Sequence, residues 1–139
     1  MTSVTTPGES ELIFIAEPEG VAPATGYTHV VGGTGRLFAV SGQIAVDGAG
    51  EVVGAGDAAA QARQVFANLQ ACLAAAGGTL ENVIKLTYFV VDVADLPAVR
   101  AARGEFFDPA RLPASSAVQV SALFRPEFLL EVEALALIP

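Results

Sequence analysis

The chain predicts an α+β fold, a sheet with two helices packed on one of its faces. Three observations carry this. Segments with the alternation of strands and segments with helical period follow one another in the order β-ββ-α-β-α-ββ. Two helices are too few to cover both faces of a sheet of that size. Yet the final strand is apolar on both sides: Phe128, Leu130, Val132, Ala134, Ala136 and Ile138 fall on one face, and Leu129, Leu135 and Leu137, with Glu131 and Glu133, on the other. A strand apolar on both faces needs cover on both. A second subunit is the economical cover, so the pattern predicts an obligate oligomer.

Each element has its own signal. Residues 1–11 are polar and read as a frayed, flexible start. Leu12-Ile13-Phe14-Ile15 is a short apolar run and a first strand. Residues 17–26 are rich in proline and glycine and form a connection. Thr28–Val31 and Leu37–Ser41 are strand-like, with Gly32-Gly33-Thr34-Gly35 between them as a hairpin turn. The glycines fit neither phosphate-loop spacing nor a dinucleotide fingerprint, since no helix follows. Ile44–Val46 and Glu51–Val53 flank a second turn, Asp47-Gly48-Ala49-Gly50.

Asp57 stands at an N-cap position and Gly77-Gly78 at a helix stop. Between them Ala58–Ala76 is alanine-rich, and Val65, Leu69, Cys72 and Ala76 share one apolar face. Gln61 and Asn68 lie on the same stripe, where amides must be hydrogen-bonded if buried, a structural role. Cys72 reads as a buried, inert thiol. Val83–Val91 is β-branched and aromatic, hence a central strand. Asp95 stands where a second helix begins, with Pro97 in its first turn and Phe106-Phe107 near its end. Residues 108–116 form a proline-containing loop, and Ala117–Val120 and Phe128–Ile138 are the last strands.

Composition narrows the function. The chain of 139 residues reads as a single domain with a real core. Its formal net charge of −8, from 15 acidic and 7 basic residues, would repel nucleic acid in the absence of a basic patch, and none is visible. No apolar run is long enough to span a membrane and no signal peptide opens the chain, so a cytoplasmic protein is expected. One cysteine (Cys72) and one histidine (His29) are too few for a zinc or iron site, so no metal is expected. His29, alone at the start of a strand, is distinguished only by its pKa near neutrality. Glu131 and Glu133 share one face of the last strand. Either one is buried with a raised pKa, fit for general acid–base work, or both are solvent-facing at a sheet edge.

Several spaced motifs together resemble the Rid (YjgF-like) family of imine and enamine deaminases. They are Ser41-Gly42-Gln43-Ile44, Gly56-Asp57 with Gln61 and Asn68-Leu69, Ala76-Gly77, the strand Val83–Val90, Phe106-Phe107, Pro113-Ala114, Val118-Gln119-Val120 and Glu131–Ala136. Their order and spacing cover the chain from about Tyr27 to Leu137. The resemblance implies a chorismate-mutase-like fold and a homotrimer with sheets facing inward as a barrel and helices outside. It implies three clefts at the subunit interfaces, where reactive enamines and imines are hydrolysed to keto acids and ammonia without metal or organic cofactor. Some members are described as endoribonucleases, an activity that the acidic charge argues against.

The resemblance also implies roles for single residues. Tyr27 matches an aromatic at the cleft wall, Ser41 a serine at its floor, and Phe89 a residue that packs against the ligand. Glu131 matches a glutamate that positions the attacking water. Ala117 stands where the family often has cysteine, and His29 where several relatives have histidine. Ser115, followed by Ser116, replaces the arginine that grips the substrate carboxylate, and Ala94 replaces an asparagine. Losing a desolvated bidentate pair costs roughly 2–5 kcal/mol. Arg111, in the look-alike Pro109-Ala110-Arg111, and Arg125 are the alternative cations that the sequence offers for the cleft. Two expectations follow: a hydrolase acting on a substrate unlike the usual α-imino acid, with Glu131 positioning water and Ser41, Ser115 or Ser116 orienting the ligand, or a homotrimer that binds a small molecule without catalysis.

Overall fold

The computed structural model describes residues 11–139, so the expected frayed start lies outside the described residues except for Glu11. The elements run β1 (Leu12–Ile15), β2 (Val30–Gly33), β3 (Arg36–Gln43), α1 (Ala58–Ala75), β4 (Val83–Val90), α2 (Leu96–Arg103), β5 (Ala114–Gln119) and β6 (Leu130–Ile138). Four strands form one sheet in the order β3-β6-β4-β5. β6 is antiparallel to both β3 and β4, and β5 is parallel to β4. β1 and β2 make a separate antiparallel pair. Among the described residues no helix is long and apolar enough to cross a membrane.

α1 forms where its caps predict. The Asp57 carboxylate accepts from the Ala60 amide at 3.1 Å, satisfying a first-turn donor. At the other end Gly77 takes a left-handed φ of 83°, and the Gly78 amide reaches back to the Leu73 carbonyl at 2.8 Å. α1 buries Val65, Phe66, Leu69 and Leu73 against Leu86, Tyr88, Val90, Leu130, Val132 and Ala134 of the sheet. The amides behave as their positions demand. Gln61 is fully buried, donates to the Gly54 and Glu127 carbonyls and accepts from the Leu129 amide. Asn68 donates to the carbonyls of Ile44 and Val46. Cys72 departs from expectation: it is exposed. The segment facing it, residues 42–48, carries Gly42 and Gly48 and leaves a groove instead of a cover.

Other departures concern strands and turns. Residues 32–35 do not close a hairpin: β2 pairs with β1, and β3 with β6. The glycines instead allow close approach of main chains. A β-carbon on Gly33 would lie 2.7 Å from the Glu11 carbonyl oxygen, and one on Gly35 would lie 3.0 Å from that of Ile138. β5 begins at Ala114, within the expected loop, because its small side chains hide a strand that main-chain pairing to β4 defines. α2 ends at Arg103, and Asp95 makes no side-chain cap. Asp92 does the capping, accepting from the Ala94 amide at 2.9 Å at the head of a 3-10 turn that leads into α2.

Both helices lie on one side of the sheet. The other side is open in the single chain. There Leu37 is 64 % exposed, Leu135 38 % and Val118 44 %, with Leu137 and Phe89 half-buried.

Candidate functional site

The parallel register sorts the residues of the Ser115 segment between the two sides. Ser115 lies beside Leu86 and Ala117 beside Tyr88, so both face the helices. Ser116 lies beside Thr87 and faces the open side, where the Lys85 ammonium donates to its hydroxyl at 2.8 Å.

On the helix side, Ser115 and Ala117 line a cavity of about 30 Å³ with Tyr27, Tyr88, Arg100 and Arg103. Its far wall is the loop carrying Gly26 and Tyr27. Buried Thr28 fixes that loop, its hydroxyl donating to the Leu112 carbonyl at 2.6 Å and its amide to Pro113 at 3.2 Å. His29 supports the loop from behind: its Nε2 lies 2.7 Å from the Ala22 carbonyl oxygen and its ring meets Tyr27 edge-on at 5.2 Å. Arg103 reaches in from the last turn of α2, and its Nη1 donates to the Gly26 carbonyl at 2.7 Å. Its Nε is buried without a hydrogen-bond partner, and so is the Tyr88 hydroxyl. Burial pushes the Tyr88 phenol above its usual range, and Arg103, through its charge and side-chain hydrogen bonding, and Arg100, through its charge, work against that rise.

Glu131 belongs to the other side. It pairs in register with Phe89 on β4 and is half-buried. Its carboxylate lies against Gly42, where a β-carbon would come within 2.6 Å of Oε2. Register shifts between Val40 and Gln43, and exposed Ser41 sits in this irregular stretch next to Gly42. Glu133 is exposed on the same strand. β6 is an inner strand, so the sheet-edge reading of the two glutamates is corrected.

The expected site residues thus form two groups in one chain. Tyr27, Ser115 and Ala117 line the helix-side cavity. Ser116, Phe89 and Glu131 lie on the opposite side, with Ser41 at their margin. The expected stand-in cations are elsewhere. Arg111 stacks on Phe14 with its guanidinium carbon 4.9 Å from the ring centre. Arg125 pairs with Glu127 at 3.0 Å and lies over the Phe128 ring. The cation at Ser115 is Arg103, which sequence reasoning missed. Its available signal was the i, i+3 spacing of Arg100 and Arg103, which places both on one helical face. Chemically, the helix-side cavity offers a guanidinium and hydroxyls to an oxygen anion, and the open side offers a carboxylate able to exchange a proton. Among the described residues no group of three or more His, Cys, Asp or Glu side chains is placed to hold a metal.

Comparison with known proteins places this geometry among relatives. The model of the Endoribonuclease L-PSP family matches residues 17–138. The 3-aminoacrylate deaminase RutC of Acinetobacter baylyi is 36 % identical over 119 residues, covering 86 % of this chain and 93 % of the relative. The 2-iminobutanoate/2-iminopropanoate deaminase of Escherichia coli is 40 % identical over 105 residues, covering 73 % and 80 %. The crystal structure of a protein of unknown function of the conserved Rid family from Yersinia pestis superposes with a TM-score of 0.81 at 39 % identity, covering 89 % of this chain and 97 % of that one.

Proposed function

We propose, from the premise that this chain belongs to the Endoribonuclease L-PSP (Rid, YjgF) family, that it is a cofactor-independent hydrolase of a reactive enamine or imine. The observation that carries the proposal is Glu131, whose carboxylate is held against Gly42 on the open side of the sheet. There it accepts a proton from water as the water oxygen bonds to the C=N carbon. The imine nitrogen takes up a proton from solvent as it becomes an amine, matching the proton that the hydroxyl later returns to solvent. In the resulting carbinolamine Glu131 returns its proton to that amine, the C–N bond breaks, ammonia leaves, and the hydroxyl loses a proton to become the carbonyl.

The working assembly in this proposal is a homotrimer with its ligand clefts between subunits. Support comes from the open sheet side, where Leu37, Leu135, Leu137 and Val118 form apolar surface that a monomer would leave wet. A cleft between chains also removes a difficulty of the single chain, which keeps Glu131 and the Ser115 cavity on opposite sides of one sheet. The substrate in this proposal is not the usual α-imino acid, because Ser115 offers one neutral hydroxyl where a bidentate arginine would grip the carboxylate. Ser115 equally favours the second reading, a trimer that binds a small molecule and does not turn it over.

The test is a coupled deaminase assay. 2-Aminoacrylate and several α-imino acids are generated in situ by a dehydratase or an amino-acid oxidase, and wild type is compared with Ser115→Arg. A wild type slow on α-imino acids, with gain of activity in Ser115→Arg, is expected. Wild-type rates equal to those of an arginine-bearing relative would show that Ser115 does not set the substrate. Silence of both proteins on every imine would favour binding without catalysis.

A further inference from the structure

We propose that Arg103, with the Tyr88 hydroxyl, forms an anion subsite in the helix-side cavity, and that it holds a ligand carboxylate which enters past Ser115 and Ala117. The inference rests on the hydrolase reading for its substrate: an enamine or imine whose acid group lies further from the C=N carbon than in an α-imino acid.

Arg103 is a half-buried cation in a chain of net charge −8. Among the described residues no carboxylate pairs with it; Arg63 and Arg125 take Glu105 and Glu127. Among the described residues its one short hydrogen bond is to the Gly26 carbonyl at 2.7 Å, and the Tyr88 hydroxyl lies beside the same guanidinium. The shielded Nε has none. The second unsatisfied group on the same cavity is the Tyr88 hydroxyl, whose residue is only 5 % exposed. Buried polar atoms in folded proteins nearly always have partners, so two orphans on one cavity call for an acceptor from outside. A carboxylate supplies it, with two oxygens for the guanidinium and the phenol. The size agrees. A cavity of about 30 Å³ holds two or so water-sized groups, enough for an acid group but not for a whole metabolite. The remainder of the ligand must then project outward past the small side chains of Ser115 and Ala117. Arg100, exposed on the same wall, adds positive potential at the rim.

Calorimetric titration of the full chain tests this with three probes: 2-oxobutanoate, 4-oxopentanoate and the neutral ketone 2-butanone. The keto acids are expected to bind at least tenfold more tightly than 2-butanone, with 4-oxopentanoate the tighter of the two. Arg103→Gln should erase the preference for acids. Because Arg103 also ties the Gly26 loop, Tyr88→Phe is the second variant. It leaves the tie of Arg103 to Gly26 in place and removes a hydroxyl that only approaches the Arg103 guanidinium, so stability should change little while keto-acid binding weakens severalfold. Keto acids binding no better than 2-butanone, or an acid preference that survives Arg103→Gln, would overturn the subsite. The two proposals fail separately: acid binding lost in Arg103→Gln without imine turnover in wild type would sink the hydrolase and leave the subsite standing.

Discussion

Gly42→Ala should uncouple catalysis from stability. A β-carbon there would lie 2.6 Å from Oε2, 2.7 Å from Cδ and 2.9 Å from Cγ of Glu131. Ordinary contacts begin near 3.4 Å, so the carboxylate must swing aside by about 1 Å. Misplacing a reacting group by that much costs on the order of 100-fold in rate, or about 2.7 kcal/mol of activation free energy. The fold should scarcely register the change. Gly42 is not in the left-handed region, the clashing atoms belong to a side chain that can rotate outward, and alanine is favoured over glycine in a strand by roughly 0.5–1 kcal/mol. The assay is kcat/KM on the imine that wild type turns over best, beside urea unfolding of the same preparations. A drop of about two orders of magnitude with stability within about 1 kcal/mol of wild type is expected. Activity within threefold of wild type in a folded variant would refute the assignment of Glu131. A loss of several kcal/mol in stability would show that the Gly42 contact is structural.

Three further outcomes are expected. Gln61→Met keeps the side-chain volume but strips three hydrogen bonds from main-chain groups near β6, and should cost about 2–5 kcal/mol in urea unfolding; a cost below about 1 kcal/mol would contradict the buried role of the amide. For Tyr88 the folded pKa is raised, so its stabilising contribution is complete below the unfolded value near 10 and is lost as pH rises from there through the folded value; Tyr88→Phe should flatten the alkaline limb of a stability–pH curve, and an unchanged limb would remove Tyr88 as its cause. Leu135→Glu places a charge on the apolar open side, so the trimer proposed above should come apart and sedimentation should show particle mass falling about threefold; an undisturbed mass would place any subunit contact elsewhere.

The elements legible in the sequence are those whose side chains announce their burial. α1 has its cap, its stripe and its glycine stop, and β4 and β6 carry long alternating apolar runs that the core absorbs. β5 is longer than its side chains announce, because Ala114, Ser115 and Ser116 carry no hydrophobic signal and main-chain pairing to β4 makes them a strand. Gly33 and Gly35 share the composition of a turn, and only their neighbours Glu11 and Ile138 show that they serve close packing of main chains. Cys72 sits at a helical spacing that implies burial, but what faces it is decided by residues 42–48, which precede the helix in sequence. The site divides in the same way. The family resemblance reached Glu131, Ser115 and Tyr27. Arg103 stayed hidden because its importance lies in what it lacks, an acidic partner and an acceptor for Nε, and both are properties of three-dimensional surroundings.

The position of β6 has a consequence for how the molecule is made. This strand sits between β3 and β4, and its register joins Arg36 to Ile138 across most of the chain. On the ribosome, β3, α1 and β4 are all synthesised before the strand that unites them. At about 5–20 residues per second, apolar side chains such as Phe66, Leu69 and Leu86 wait for seconds without their partners. Long-range pairing of this kind also slows folding once the strand arrives, because loop closure must precede its reward. Nascent chains should therefore engage holding chaperones until residues 130–138 have left the exit tunnel, and a stop codon placed just before Leu130 should yield insoluble product, not a smaller folded domain.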